Sequence, residues 1–97
     1  MMDEIVYRTP ESIIVSNADR EAEAMKKAAD RAIAEKNGRL VIDMSDTGFV
    51  SSAGLKALMT AMKRIRGAGG EFVLRHLSER VYESVELTGL CDFITIE

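Results

Sequence analysis

With 97 residues, 46% of them hydrophobic, the chain can build one modest core, and a formal net charge of −3 with both signs interspersed describes an ordinary solvated surface rather than a nucleic-acid-binding one. The single cysteine, Cys91, excludes an internal disulfide, and no apolar run approaches the ~20 residues that span a bilayer. Acidic residues stand at the amino terminus where a secretory signal has basic ones, so the expectation is one cytoplasmic domain over residues 1–97, with no membrane partner.

Glu4 to Tyr7 reads as a strand, and Ser12 to Val15 as a second short strand or the approach to a helix. Between them Arg8-Thr9-Pro10-Glu11 breaks the run, because Pro10 has no N–H for a central ladder. Ser16 or Asn17 then caps a helix reaching about Lys36, with Asp19, Glu21 and Glu23 near its positive end and Lys36 near its negative one; Ser16 with Asp19 resembles a capping pair. Ala18, Ala22, Met25, Ala29 and Ile33 form its apolar stripe, and Asn37-Gly38 is its stop signal.

The stretch from Arg39 to Arg66 is the organising unit. Leu40, Val41 and Ile42 suit a strand buried on both faces. Met44 to Gly48 is a polar loop at that strand's carboxyl end, after which Phe49 and Val50 re-enter the core. Ser51 and Ser52 stand at the first turn of a helix, where either hydroxyl can accept from an unpaired backbone N–H. Leu55, Leu58, Met59, Met62 and Ile65 mark its buried face, Lys56, Lys63, Arg64 and Arg66 lie off that stripe, and Gly67 offers the left-handed residue that ends it.

Gly67 to Gly70 is a flexible turn rather than a phosphate loop, since it follows a helix and lacks that motif's lysine and hydroxyl. Glu71 to Arg75 is another buried strand, Ser78 caps a helix holding Val81, Tyr82, Val85 and Leu87 that ends near Thr88-Gly89, and Phe93 to Ile96 is the last strand. Strand and helix alternate, which predicts an α/β domain with a parallel sheet, right-handed crossovers and function at the strands' carboxyl ends. The predicted core is Leu40, Val41, Ile42, Leu55, Leu58, Met62, Phe72, Leu74 and Val85.

Catalysis finds little support in these residues. A serine nucleophile needs a base, and the only histidine, His76, follows a different strand; the surroundings are not a G-x-S-x-G elbow. Asp43 and Asp46 are too few for a metal site. Cys91, beside Leu90 and Phe93, reads as a small core residue. No catalytic residue, cofactor or metal is expected.

LVIDMSDTGFVSSAGLKALMTAMKRIRGAGGEFVL followed by LSERVYESVELTGLCDFITI resembles the STAS domain of the bacterial anti-sigma-factor antagonists, through a strand ending in Asp, an SSAGL helix start, a GG turn and an L-T-G-L ending. The resemblance is strongest from about Leu40 onward; Ile5 to Lys36 matches in its strand-then-helix order. It implies a mixed, mostly parallel sheet of four to five strands with about three to four helices. It also implies a regulatory domain whose partner is a switch kinase that doubles as the anti-sigma factor, with a phosphatase as a further partner. Family members have an antiparallel strand before the one at Glu4 to Tyr7, so this chain is expected to start one strand late, with that sheet edge open or differently covered.

In that family the kinase phosphorylates the residue directly before the glycine of D-S-S/T-G-L. The matching residues here are Ser51, Ser52, Ala53, Gly54 and Leu55, so Ala53 stands at the acceptor position and Ser51 at that of the aspartate. Ser52 is the phosphorylation candidate, with Ser51 behind it. Asp46, Thr47, Ser51, Ser52, Ala53, Gly54 and Lys56 form the expected partner-binding set. The alternatives are a STAS scaffold or accessory subunit without phosphorylation and a small serine-dependent hydrolase; the nucleotide binding suspected of STAS domains has no motif here.

Overall fold

Two apolar triplets, Leu40-Val41-Ile42 and Phe72-Val73-Leu74, lie side by side at the centre of the computed structural model, which describes residues 4–35 and 38–97. They belong to β3 (Arg39–Asp43) and β5 (Glu71–Arg75). With β1 (Glu4–Arg8) and β6 (Thr95–Ile96) they form a four-stranded sheet in the order β1-β3-β5-β6, and β2 (Ser12–Ile13) pairs with β4 (Phe49–Val50) in a second sheet. Every pairing among the described residues is parallel, which requires crossovers. α1 (Ala18–Ala34) connects β2 to β3, and α2 (Ser52–Gly67) connects β4 to β5. α3 (Glu79–Leu87) and a 3-10 turn (Leu90–Asp92) precede β6.

Period-two alternation divides the main sheet into two faces. Leu40, Ile42, Phe72 and Leu74 point into one cluster with Met25, Ala29, Ala32, Leu58, Met62, Ile65, Val81 and Val85, so all three helices lie on that side. Tyr7 of β1 adds a polar tie by donating to Glu21 of α1 at 2.6 Å. Burial and that bond push the Tyr7 phenol up to about 12.

The opposite face carries Val41 and Val73, both fully buried although outside that cluster. Arg39 bonds Glu4, Glu71 and Glu97, and Arg75 bonds Glu4 and Glu97, so two guanidiniums span the face where a parallel sheet ordinarily has helices. Their aliphatic stems and paired heads provide the cover. Val6, on the edge strand, stays half exposed.

Several local expectations are corrected. Met44 lies in the polar loop yet is fully buried, while Phe49 is 39% exposed and only Val50 enters the core. On α2, Leu55 and Met59 are half-buried and Ala57 and Ala61 complete the covered face; on α1, Ile33 is exposed and Ala28 and Ala32 replace it. Small residues take these places because the two helices pack closely against each other. The left-handed residue after α2 is Gly69, φ +83°, whereas Gly67 is still helical. Asn17 is the cap position of α1, but its side chain accepts from the Ile14 N–H and donates to the Ser12 carbonyl, bracing the turn instead of the helix end. Gly38 has φ +53°; Lys36 and Asn37 lie outside the described residues. Tyr82 and Leu87 are exposed, Val15 extends outward beyond β2, and the last strand shrinks to Thr95–Ile96 because the 3-10 turn swings Leu90 inward and Phe93 outward.

Candidate functional site

Chain connectivity places the β1–β2 and β3–β4 loops together beyond the carboxyl ends of β1 and β3, and two threonines lock them. The Thr47 hydroxyl donates its one proton to the Pro10 carbonyl at 2.5 Å, so Thr9, 2.5 Å from Thr47, is the donor in that pair. Thr9 and Thr47 are both buried, the latter only 2% exposed. Backbone bonds continue the seam: Gly48 N–H donates to Glu11 O at 2.9 Å and Ser51 N–H to Ile13 O at 2.8 Å. The start of α2 is thereby stapled to β2.

Gly54 makes that approach possible. A Cβ there would sit 2.7 Å from Val50 Cγ1 and 2.8 Å from Ile13 O, so no larger residue fits without displacing backbone. Ser51 is the helix cap, its Oγ accepting from the Gly54 N–H at 3.3 Å. Ser52 is the first helical residue and is exposed. Ala53 is half-buried in a groove of about 280 Å³ between α1 and α2, beside Ala18, Ala22 and Lys56. Of the expected partner-binding set, Asp46, Ser52 and Lys56 are exposed, Ser51 and Ala53 are half-buried, and Thr47 and Gly54 are covered. The last two lie beneath the exposed members of the set.

Asp43 anchors the loop by accepting from the Ser45 N–H at 3.0 Å. That bond, with smaller help from the Ser45 hydroxyl, His76 and Arg8, holds its carboxyl below the usual value against the opposing effect of burial. Arg8 lies 3.7 Å from both Asp43 and Asp46. His76, at φ +60°, meets Asp43 through Nδ1 at 3.3 Å and bonds neither serine. No cluster of potential metal ligands occurs among the described residues. No described helix is long and apolar enough to cross a membrane.

Two contributors escaped the sequence reading. Thr9 looked like turn punctuation, and its partner is 38 positions away, so no local pattern could find it. Arg80 of α3 stacks 5.0 Å over the Phe49 ring and holds that aromatic at the surface. Cys91 is half-buried against the core, as a structural thiol would be.

These features define a small α/β domain that presents a serine-bearing helix start on a braced loop platform. The chain belongs to the STAS-domain family, which matches residues 2–97. It is 38% identical over 58 residues to the anti-sigma-B factor antagonist of Listeria monocytogenes, covering 60% of this chain and 51% of that protein. It is 34% identical over 64 residues to the anti-sigma-B factor antagonist of Bacillus subtilis, covering 66% and 59%. The match thus spans little more than half the length of these relatives. The unphosphorylated anti-sigma factor antagonist SpoIIAA superposes with a TM-score of 0.67 at 12% identity, over 100% of this chain and 83% of that one, a likeness of fold alone.

Proposed function

We propose that this chain is a non-enzymatic regulatory domain, similar in role to the anti-sigma-factor antagonists. It binds a serine kinase that acts as an anti-sigma factor, through the Met44–Val50 loop and the exposed start of α2. The observation that carries this reading is Ser52, an exposed hydroxyl on the first turn of a helix whose backbone is fixed by the Ser51 and Gly48 seam. The names of the relatives, anti-sigma-B factor antagonists, support an anti-sigma factor as the partner.

Ser52 is the acceptor in this reading, because Ala53 has no hydroxyl and a phosphate on Ser51 would burden the oxygen that caps Gly54. Phosphoserine carries about −1.5 to −2 charges at neutral pH, and the free N–H groups of a first helical turn stabilise such a charge. The domain therefore stays folded. In an interface the same charge has to be desolvated, so the complex weakens, and a phosphatase restores it.

A second reading, a STAS scaffold with no phosphorylation, is favoured by one observation: the residue directly before Gly54, where the resemblance puts the acceptor, is Ala53, which has no hydroxyl. Incubation with a co-purifying kinase and ATP separates the two. Wild type should be labelled and Ser52→Ala should not, and Ser52→Asp should weaken the kinase complex roughly tenfold, or ~1.4 kcal/mol. An unlabelled wild type with unchanged binding by Ser52→Asp would establish the scaffold instead; a label gained only in Ala53→Ser would mean that the native switch is lost.

A further inference from the structure

α2 carries four cations, Lys56, Lys63, Arg64 and Arg66, and no acid, in a chain of net charge −3. Asp30 neutralises Arg64 at 2.6 Å, but no described carboxylate forms an ion pair with Lys56, Lys63 or Arg66. Ser52, Lys56, Met59, Lys63 and Arg66 follow one another at steps of four and three residues, which draws a single line along the solvent side of the helix. Four of the five are exposed and Met59 is half-buried.

The line ends in a groove of about 470 Å³ whose floor is Met59, Met62, Leu90 and Phe93 and whose rim includes Lys63 and Arg66. Phe93 is 53% exposed, and Arg66 holds it in place, with its guanidinium 5.7 Å from the ring centroid and a bond of 2.5 Å to the Phe93 carbonyl. An apolar slot edged by unneutralised cations matches a partner that brings an apolar side chain flanked by carboxylates. Nucleic acid fits poorly, because the line is one helix wide and the chain as a whole is anionic.

We propose that this stripe and groove form a second docking surface for an acidic amphipathic segment of the protein partner, with an apolar residue seated between Met62 and Phe93 and carboxylates against Lys56, Lys63 and Arg66. The proposal rests on the partner reading above and adds a link to Ser52. A phosphate at the head of the stripe draws on Lys56 and repels the carboxylates of the docked segment, so modification at one end loosens an anchor at the other.

The test uses the full chain with methionine methyls labelled for NMR and three synthetic helical peptides: one with leucines on one face and glutamates beside them, one with lysines replacing the glutamates, and one with alanines replacing the leucines. The acidic leucine peptide should shift the Met59 and Met62 methyls saturably and bind more weakly as salt rises, while the lysine and alanine peptides should bind at least tenfold more weakly. Lys63→Glu with Arg66→Glu should weaken the acidic peptide at least tenfold and improve the lysine peptide. Phe93→Ala, a change at a half-exposed ring, should weaken the acidic peptide several-fold with the spectrum otherwise folded. Equal binding of all three peptides, no binding of the acidic one, or an unchanged affinity in the charge-reversed variant would overturn the groove. Kinase labelling of Ser52 is read separately: a label on Ser52 with no peptide response removes the groove and leaves the switch, and a peptide response without a label does the reverse.

Discussion

Gly54 sets how close α2 comes to β2, and its substitution tests the platform directly. Gly54→Ala places a methyl 2.8 Å from the Ile13 carbonyl, and because that neighbour is backbone the strain cannot be relieved by a rotamer change. Overpacking of this kind costs ~1–3 kcal/mol, to be read from urea melts. A loss within about 0.5 kcal/mol, the range of surface changes, would refute the close approach. The residues around it differ in how far sequence reveals them. Ser51 and Ser52 are visible as a helix start because capping chemistry is local, although only geometry separates the cap from the exposed hydroxyl. Thr47 looks like an ordinary loop residue and proves to be a buried clamp, because Thr9 and Pro10 reach it across more than thirty positions.

At the scale of elements, β3 and β5 were legible as buried strands from their apolar triplets, and the strand–helix alternation gave the parallel sheet. What those triplets could not reveal is what covers their second face. Here the cover is the charged residues bounding each triplet, Arg39, Glu71 and Arg75, which in sequence look like strand ends. This has a pH signature. Arg75 foremost, with Arg39, holds Glu4 and Glu97 below the ordinary value of 4.5. A carboxylate with a lowered folded-state pKa contributes stability that is present above its unfolded pKa and lost as pH falls through the folded one. Urea midpoints should therefore hold from pH 8 to about 6 and drop on the acid side of about 5, with high salt reducing the difference. Arg75→Met should flatten that acid limb; a limb of unchanged steepness would show that these pairs do not couple to folding. On the alkaline side, the raised Tyr7 phenol contributes stability that is intact below 10 and lost as pH rises through about 12.

For the molecule as a whole, β6 and the turn before it were the least legible region, because Phe93 reads as a core residue by type and is instead carried outward by the 3-10 turn. The same displacement opens the groove beside α2. The two-faced sheet has a further consequence, which concerns time rather than equilibrium. Arg75 reaches Glu4 across 71 positions and Arg39 reaches Glu97 across 58. Partners so distant close a large loop, and that entropy is offset only after nearer contacts have formed, which predicts that the guanidinium cover is completed on the native side of the folding barrier. In stopped-flow experiments Arg39→Met and Arg75→Met should raise the unfolding limb and leave the refolding limb superimposed on wild type, whereas slowed refolding would put the lattice in the nucleus. The expected outcome assigns the lifetime of the folded domain to the ion pairs of the covered second face, and the speed of reaching it to the α1–α2 layer with its central strands.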